Sequence, residues 1–180
     1  MEPYSQKLSL EIIKEGMPGI TPVIGNYLYE NCLVSLNMSA HTSGTNLYVD
    51  GLCAKTYQLY WDGQITDQMT RSYTDDIETT EQGAVCISLL MAKQLTDYTV
   101  IERSWRGTGI DYWLGDESDP LMQRVARLEI SGIKVESETN TVSARYQQKI
   151  KQTELSDSTN LPAYISIVEF SNPKCLFNKR

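Results

Sequence analysis

The chain has 180 residues, four cysteines, a single histidine and a formal net charge of −7, with a pI of about 4.8. Its balance of 41% hydrophobic and 22% charged residues is that of one packed globular domain over residues 1–180, and no apolar run approaches the roughly 18 residues that a membrane span needs. The negative charge excludes a polyanion binder steered by long-range attraction, and the lack of a CxxC pair or a second histidine argues against zinc.

At the N-terminus, MEPYSQKLSLEIIKEG lacks the basic start and apolar middle of a signal peptide, so a cytoplasmic protein with buried thiols rather than disulfides is expected. Thr21-Pro22 has the form of an N-cap followed by proline at the first helical position. Ile24, Leu28, Cys32 and Leu36 then recur every four residues, which predicts an amphipathic helix ending before Gly44. His41 follows it and reads as a cap or surface residue. TNLYV and KTYQLYW, on either side of Asp50-Gly51, predict two short strands.

From Thr66 the pattern returns to a long or broken helix reaching Thr96, acidic and solvated in its first half and apolar and buried in its second. YTVIERSW, GIDYWLG and RVARLEISGI predict three strands. VSARYQQKIKQT places Val142, Tyr146 and Ile150 four apart on a helix, and PAYISIVEFSNP predicts a strand buried on both faces. The order over residues 78–171 is therefore αβββαβ in a mixed sheet, with residues 1–75 as an extension made of a helix and a β-hairpin. No repeat or low-complexity tract divides the chain.

The chemistry concentrates in GTGIDYWLG and ARLEISGI, two strands joined by DESDPLMQ that each carry one carboxylate. A register that sets Asp111 opposite Glu129 brings their Cβ atoms to roughly 4.5–5.5 Å. Two ionised carboxylates that close repel by about 4 kcal/mol at an effective dielectric of 20, which a cation or a shared proton relieves; the plain alternative is that each faces water. Residues 103–151 carry eight basic against seven acidic residues, so this half is the one suited to phosphate. Trp105, Tyr112, Trp113 and Tyr164 have the faces to stack on bases, although aromatic residues in strands more often pack in the core. Gly107-Thr108-Gly109 is more often a turn than a phosphate loop.

With Asp on the second strand and Glu on the third, the αβββαβ order resembles the PD-(D/E)xK superfamily, the restriction-endonuclease-like fold, and GTGIDYWLG…ARLEISGI is similar to a divergent family of short bacterial proteins. The resemblance implies a site in which Asp111, Glu129 and the backbone carbonyl of Ile130 ligate Mg²⁺ or Mn²⁺, with Glu81 on the preceding helix as a further acidic residue. Two positions depart from the motif: Ile110 replaces its proline, and Ser131 stands where its catalytic lysine belongs. A basic residue from the next helix would fill that gap, with Lys149 the first candidate and Arg127 the second. Gln147 and Gln148 lie near a glutamine motif of related exonucleases, but at the wrong spacing.

Two functions follow from the resemblance. One is a metal-dependent endonuclease or exonuclease acting on DNA or RNA, a subunit of a larger bacterial system, such as one for defence, with a protein partner supplying nucleic-acid affinity. The other is a catalytically inactive structural or regulatory subunit, favoured by Ser131 and the acidic pI. A third reading, an acidic mimic of DNA, would want carboxylates spread over a surface rather than paired in a hairpin.

Overall fold

The computed structural model describes residues 6–180, so the first five residues of the N-terminal stretch read above lie outside it. Strands β1 (Gln6–Ser9), β2 (Thr45–Gly51), β3 (Lys55–Tyr60), β4 (Thr99–Arg103), β5 (Tyr112–Gly115), β6 (Ala126–Ile133), β7 (Ala163–Glu169) and β8 (Lys174–Lys179) form one mixed sheet. Their order across it is β1-β3-β2-β8-β7-β6-β5-β4. The helices are α1 (Pro22–Met38), α2 (Asp67–Ser72), α3 (Asp76–Leu95) and α4 (Val142–Thr153), with 3₁₀ turns at Leu10–Glu15 and Glu154–Thr159. No helix among the described residues is long and apolar enough to cross a membrane.

Local chemistry sets the helix starts. Thr21 Oγ1 accepts from the Ile24 amide at 3.4 Å and Pro22 occupies the first helical position of α1. The predicted helix from Thr66 breaks in two because Asp75 caps a new start, its Oδ1 accepting from the amides of Ile77 and Glu78 at 3.0 and 3.1 Å. Thr141 starts α4 in the same way through Ala144.

Strand alternation assigns the two faces. Leu128 and Ile130 of β6 and Tyr164 and Val168 of β7 join the main core with α1 and α3, whose Ile87, Leu89, Leu90 and Met91 are buried. Each such aliphatic side chain contributes about 1.5–3 kcal/mol by leaving water. Ser88 on α3 and Ser166 on β7 pair across this core at 2.7 Å. On the opposite face Val142, Tyr146 and Ile150 of α4 pack on Ile133, Ile165 and Ile167, a smaller core that leaves Glu129 and Ser131 also facing α4.

The elements from α3 to β7 run in the expected order αβββαβ. The first 60 residues are not a separate lobe, however. Their strands β1, β3 and β2 continue the same sheet, joined to it by β2 pairing parallel to β8. His41 sits at this junction, its Nε2 2.9 Å from the carbonyl of Phe170. All four cysteines are free, three of them buried.

β5 has only four residues and pairs with Ala126–Leu128 alone, so β6 continues past it with one edge uncovered. This gap positions the site.

Candidate functional site

β5 and β6 are antiparallel with Tyr112 opposite Leu128, and one more step along that register brings Asp111 beside Glu129, as the sequence predicts. The backbone supports this, since the Asp111 amide donates to the Leu128 carbonyl at 2.9 Å. Beyond that point the Asp111 side chain takes over from the missing strand, its Oδ2 accepting from the Ile130 amide at 2.8 Å. The amide and carbonyl of a strand residue face the same side, so the Ile130 carbonyl is directed into the gap as well.

Glu129 is only 1% exposed. Its Oε1 accepts from Lys149 Nζ at 2.5 Å and from Gln152 Nε2 at 2.7 Å, while Oε2 is buried without a partner. Burial pushes the Glu129 carboxyl up to about 8, helped by the neighbouring Asp111 charge and opposed by Lys149. Asp111 is raised as well, again by burial, against the pull of the Ile130 amide and Lys149. Two carboxyls that both resist ionisation side by side form a strongly electronegative pocket once charged. Either of two things relieves this pair: a proton shared between the Asp111 and Glu129 carboxyls, or a hard divalent cation, which the all-oxygen donor set of Asp111, Glu129 and the Ile130 carbonyl fits.

Lys149 reaches the pair from α4, where Arg145, Lys149 and Gln152 lie at i, i+4 and i+7 on one face. Arg145 Nη1 donates to Ser131 Oγ at 2.9 Å and its Nη2 to Asn140 Oδ1 at 2.7 Å, so a guanidinium stands over Ser131. Arg145 and Gln152 are the residues that sequence reasoning missed; the signal was their spacing from Lys149, which marks one inward face. Lys151, Gln147 and Gln148 are exposed.

Arg127, the second candidate for the lysine's place, is engaged elsewhere. Its guanidinium is buried under the 3₁₀ turn at Glu154–Thr159, donating to the Leu161 and Thr153 carbonyls, Ser156 Oγ and Asp157. It shares a strand face with Glu129, but it secures the turn after α4.

The uncovered edge of β6 opens into a cavity of about 590 Å³, lined by Glu81, Gln82 and Val85 of α3, Arg103 to Arg106 of the β4–β5 connection, Asp111, Tyr112, Ile130 and Ser131. Glu81 thus faces the same space as Asp111 and Ser131. Among the described residues no three His, Cys, Asp or Glu side chains gather into a metal-binding group, and Glu129 and Lys149 are not among the residues that line the cavity. Of the aromatic residues singled out above, Tyr112, Trp113 and Tyr164 are core, while Trp105 is 79% exposed at the cavity rim. Gly132 lets α3 close the far side: a Cβ there would meet the Thr80 carbonyl oxygen at 2.5 Å. Comparison with protein-family models, with curated proteins and with solved structures gave no match.

Proposed function

We propose that the protein is a divalent-metal-dependent nuclease-like protein of the PD-(D/E)xK kind, acting on DNA or RNA phosphodiesters. The observation that carries this reading is the convergence of Asp111, Glu129 and Lys149: a buried carboxyl on β6, a half-buried one just before β5 and a lysine delivered from α4 to within 2.5 Å of the first, beside an open cavity.

Asp111, Glu129 and the Ile130 carbonyl would hold Mg²⁺ or Mn²⁺, which when bound supplies Lewis-acid stabilisation of phosphoryl charge and lowers the pKa of a water. Lys149 and Gln152 fix Glu129 Oε1 so that Oε2 is the oxygen left to ligate, and Lys149 would balance the carboxylate charge that a bound metal brings out. Arg103 and Arg106 on the cavity wall are placed to neutralise a substrate phosphate, and Glu81 on the opposite wall to accept a proton from water. The net charge of −7 gives the chain little affinity of its own for a polyanion, so a protein partner within a larger bacterial system, such as a defence complex, would supply the rest.

A second reading, an inactive structural or regulatory subunit, is favoured by one feature: Glu129 Oε1 is already satisfied by two donors, Lys149 and Gln152.

Incubation with plasmid and single-stranded substrates in Mg²⁺ or Mn²⁺ at low salt separates the two. The nuclease reading expects cleavage by the wild type and a loss on the order of 10² to 10⁴ in rate for Lys149→Ala. An intact substrate supports the inactive subunit, and cleavage that survives both Asp111→Ala and Lys149→Ala refutes the site.

A further inference from the structure

The loop between β4 and β5 carries features that a metal site does not require. Trp105 at its start is 79% exposed, next to Arg106, with Arg103 at its base and Asp111 at its far end; all four line the cavity. The exposed indole offers a flat apolar face at the rim of a cavity that Arg103 and Arg106 also line, where a flat anionic ligand can meet both.

The loop is also held in place. Ser104 Oγ and Thr108 Oγ1 pair at 2.7 Å, Thr108 Oγ1 donates to the Trp105 carbonyl at 2.8 Å, and the Ser104 amide donates to the Asp111 carbonyl at 2.8 Å. Gly109, at φ +77°, lies so close to α4 that a Cβ would meet the Gln152 carbonyl oxygen at 2.1 Å. The backbone that carries Trp105 is therefore already ordered when a ligand arrives, and the brace runs to the helix turn that supplies Gln152 to Glu129.

We propose that the cavity captures single-stranded or locally unpaired nucleic acid, with one base stacked on Trp105 and the adjoining phosphates on Arg103 and Arg106. The inference rests on the nucleic-acid reading of the site and adds its substrate class. The charge balance selects the strand form. A duplex hides its base faces and is held mainly through phosphates, for which the cavity offers two arginines on a chain of net charge −7. An unpaired base offers its face to Trp105, and base–aromatic stacking contributes about 1–3 kcal/mol per base without regard to sequence.

The test measures binding without chemistry. Fluorescein-labelled 12-nucleotide DNA and RNA strands, and the corresponding duplexes, are titrated with the full chain in EDTA at low salt and followed by anisotropy. The single strands should bind more tightly than the duplexes. Trp105→Ala should weaken single-strand binding by about 5- to 150-fold, the range that the stacking contribution corresponds to, while Trp105→Phe keeps most of the affinity. Two phosphate contacts give a shallow salt dependence, a slope of about −1.4 in log–log form.

Duplexes bound as well as single strands, no binding of either, or a Trp105→Ala protein indistinguishable from wild type would overturn the proposal; the last result would assign Trp105 to a protein contact instead. Because Trp105 makes so little contact with the fold, a folding defect in Trp105→Phe would also count against it. Single-strand binding that depends on Trp105, without cleavage in Mg²⁺ or Mn²⁺, defeats the nuclease reading alone. Duplex cleavage unaffected by Trp105→Ala defeats this inference alone.

Discussion

Replacing Glu129 with glutamine should make the protein more stable, and increasingly so as the pH rises. In the unfolded chain the carboxyl ionises near its ordinary 4.5; in the fold, burial and the Asp111 charge hold it protonated up to about 8. Between those values the folded state binds one proton more than the unfolded state, so the stability tied to this group is fully present below about 4.5 and is lost as the pH climbs through about 8. Each pH unit in that window costs up to about 1.4 kcal/mol, roughly 5 kcal/mol over the whole of it. Glutamine is neutral throughout and keeps an oxygen for Lys149 and Gln152, the donors to Oε1. Urea unfolding of both proteins in EDTA at pH 5, 7 and 9 measures the difference. It should be near zero at pH 5 and reach several kcal/mol in favour of the variant at pH 9. A difference that stays constant with pH, or that favours the wild type at pH 9, would show that Glu129 is ionised in the fold at neutral pH and that Lys149 outweighs its burial.

Three further outcomes are expected. Calorimetric titration with millimolar Mn²⁺ should give binding heat for the wild type and weaker binding for Asp111→Asn and Glu129→Gln; identical heats for all three would remove the carboxylate pair as a metal site. Arg127→Met should lower stability by about 1–3 kcal/mol in urea unfolding, because it leaves the Leu161 carbonyl without its side-chain donor, while Asp157 keeps Arg180 and the Thr153 carbonyl keeps Ser156; no measurable loss would mean that the turn after α4 stands without it. Ser131→Lys should destabilise the protein by placing a second cation against Arg145, and Arg145→Ala should recover about 0.5–3 kcal/mol in the double variant; strictly additive losses would show that the two side chains do not meet.

The parts of the site that the sequence made legible are those written in strand alternation. Arg127, Glu129 and Ser131 share a face because they are two apart, and the hairpin length let Asp111 be set opposite Glu129. Val142, Tyr146 and Ile150 likewise predicted the buried stripe of α4. What escaped depended on tertiary context. β1 has one buried apolar residue, Leu8, and is a strand only because β3 lies beside it; β8 alternates Cys175 and Phe177 inward, but is too short and too charged at its ends to stand out. Arg145 does not stand out in the sequence because arginine and lysine, seen alone, carry no mark of which way they point. Only the position of the helix over Ser131 and Glu129 separates the inward cations from the exposed Lys151. In the same way, composition could not distinguish Trp105 from Trp113, although one lies at the cavity rim and the other in the core.

The pairing of β2 with β8 has a consequence for how the chain is made. Tyr48 lies against Lys174, so the N-terminal hairpin cannot take its place in the sheet until the ribosome has delivered β8, roughly six seconds or more after the hairpin emerges at ordinary synthesis rates. Throughout that interval β2 presents a bare row of amides and carbonyls, the kind of surface on which nascent chains pair with one another, and β7 joins it only in the short gap before β8 follows. Such long-range closure makes folding slow and leaves the unfinished sheet a target for chaperones. Clipping β8 from the mature protein would reopen both edges at once, uncoupling the hairpin from the half that carries Asp111 and Glu129.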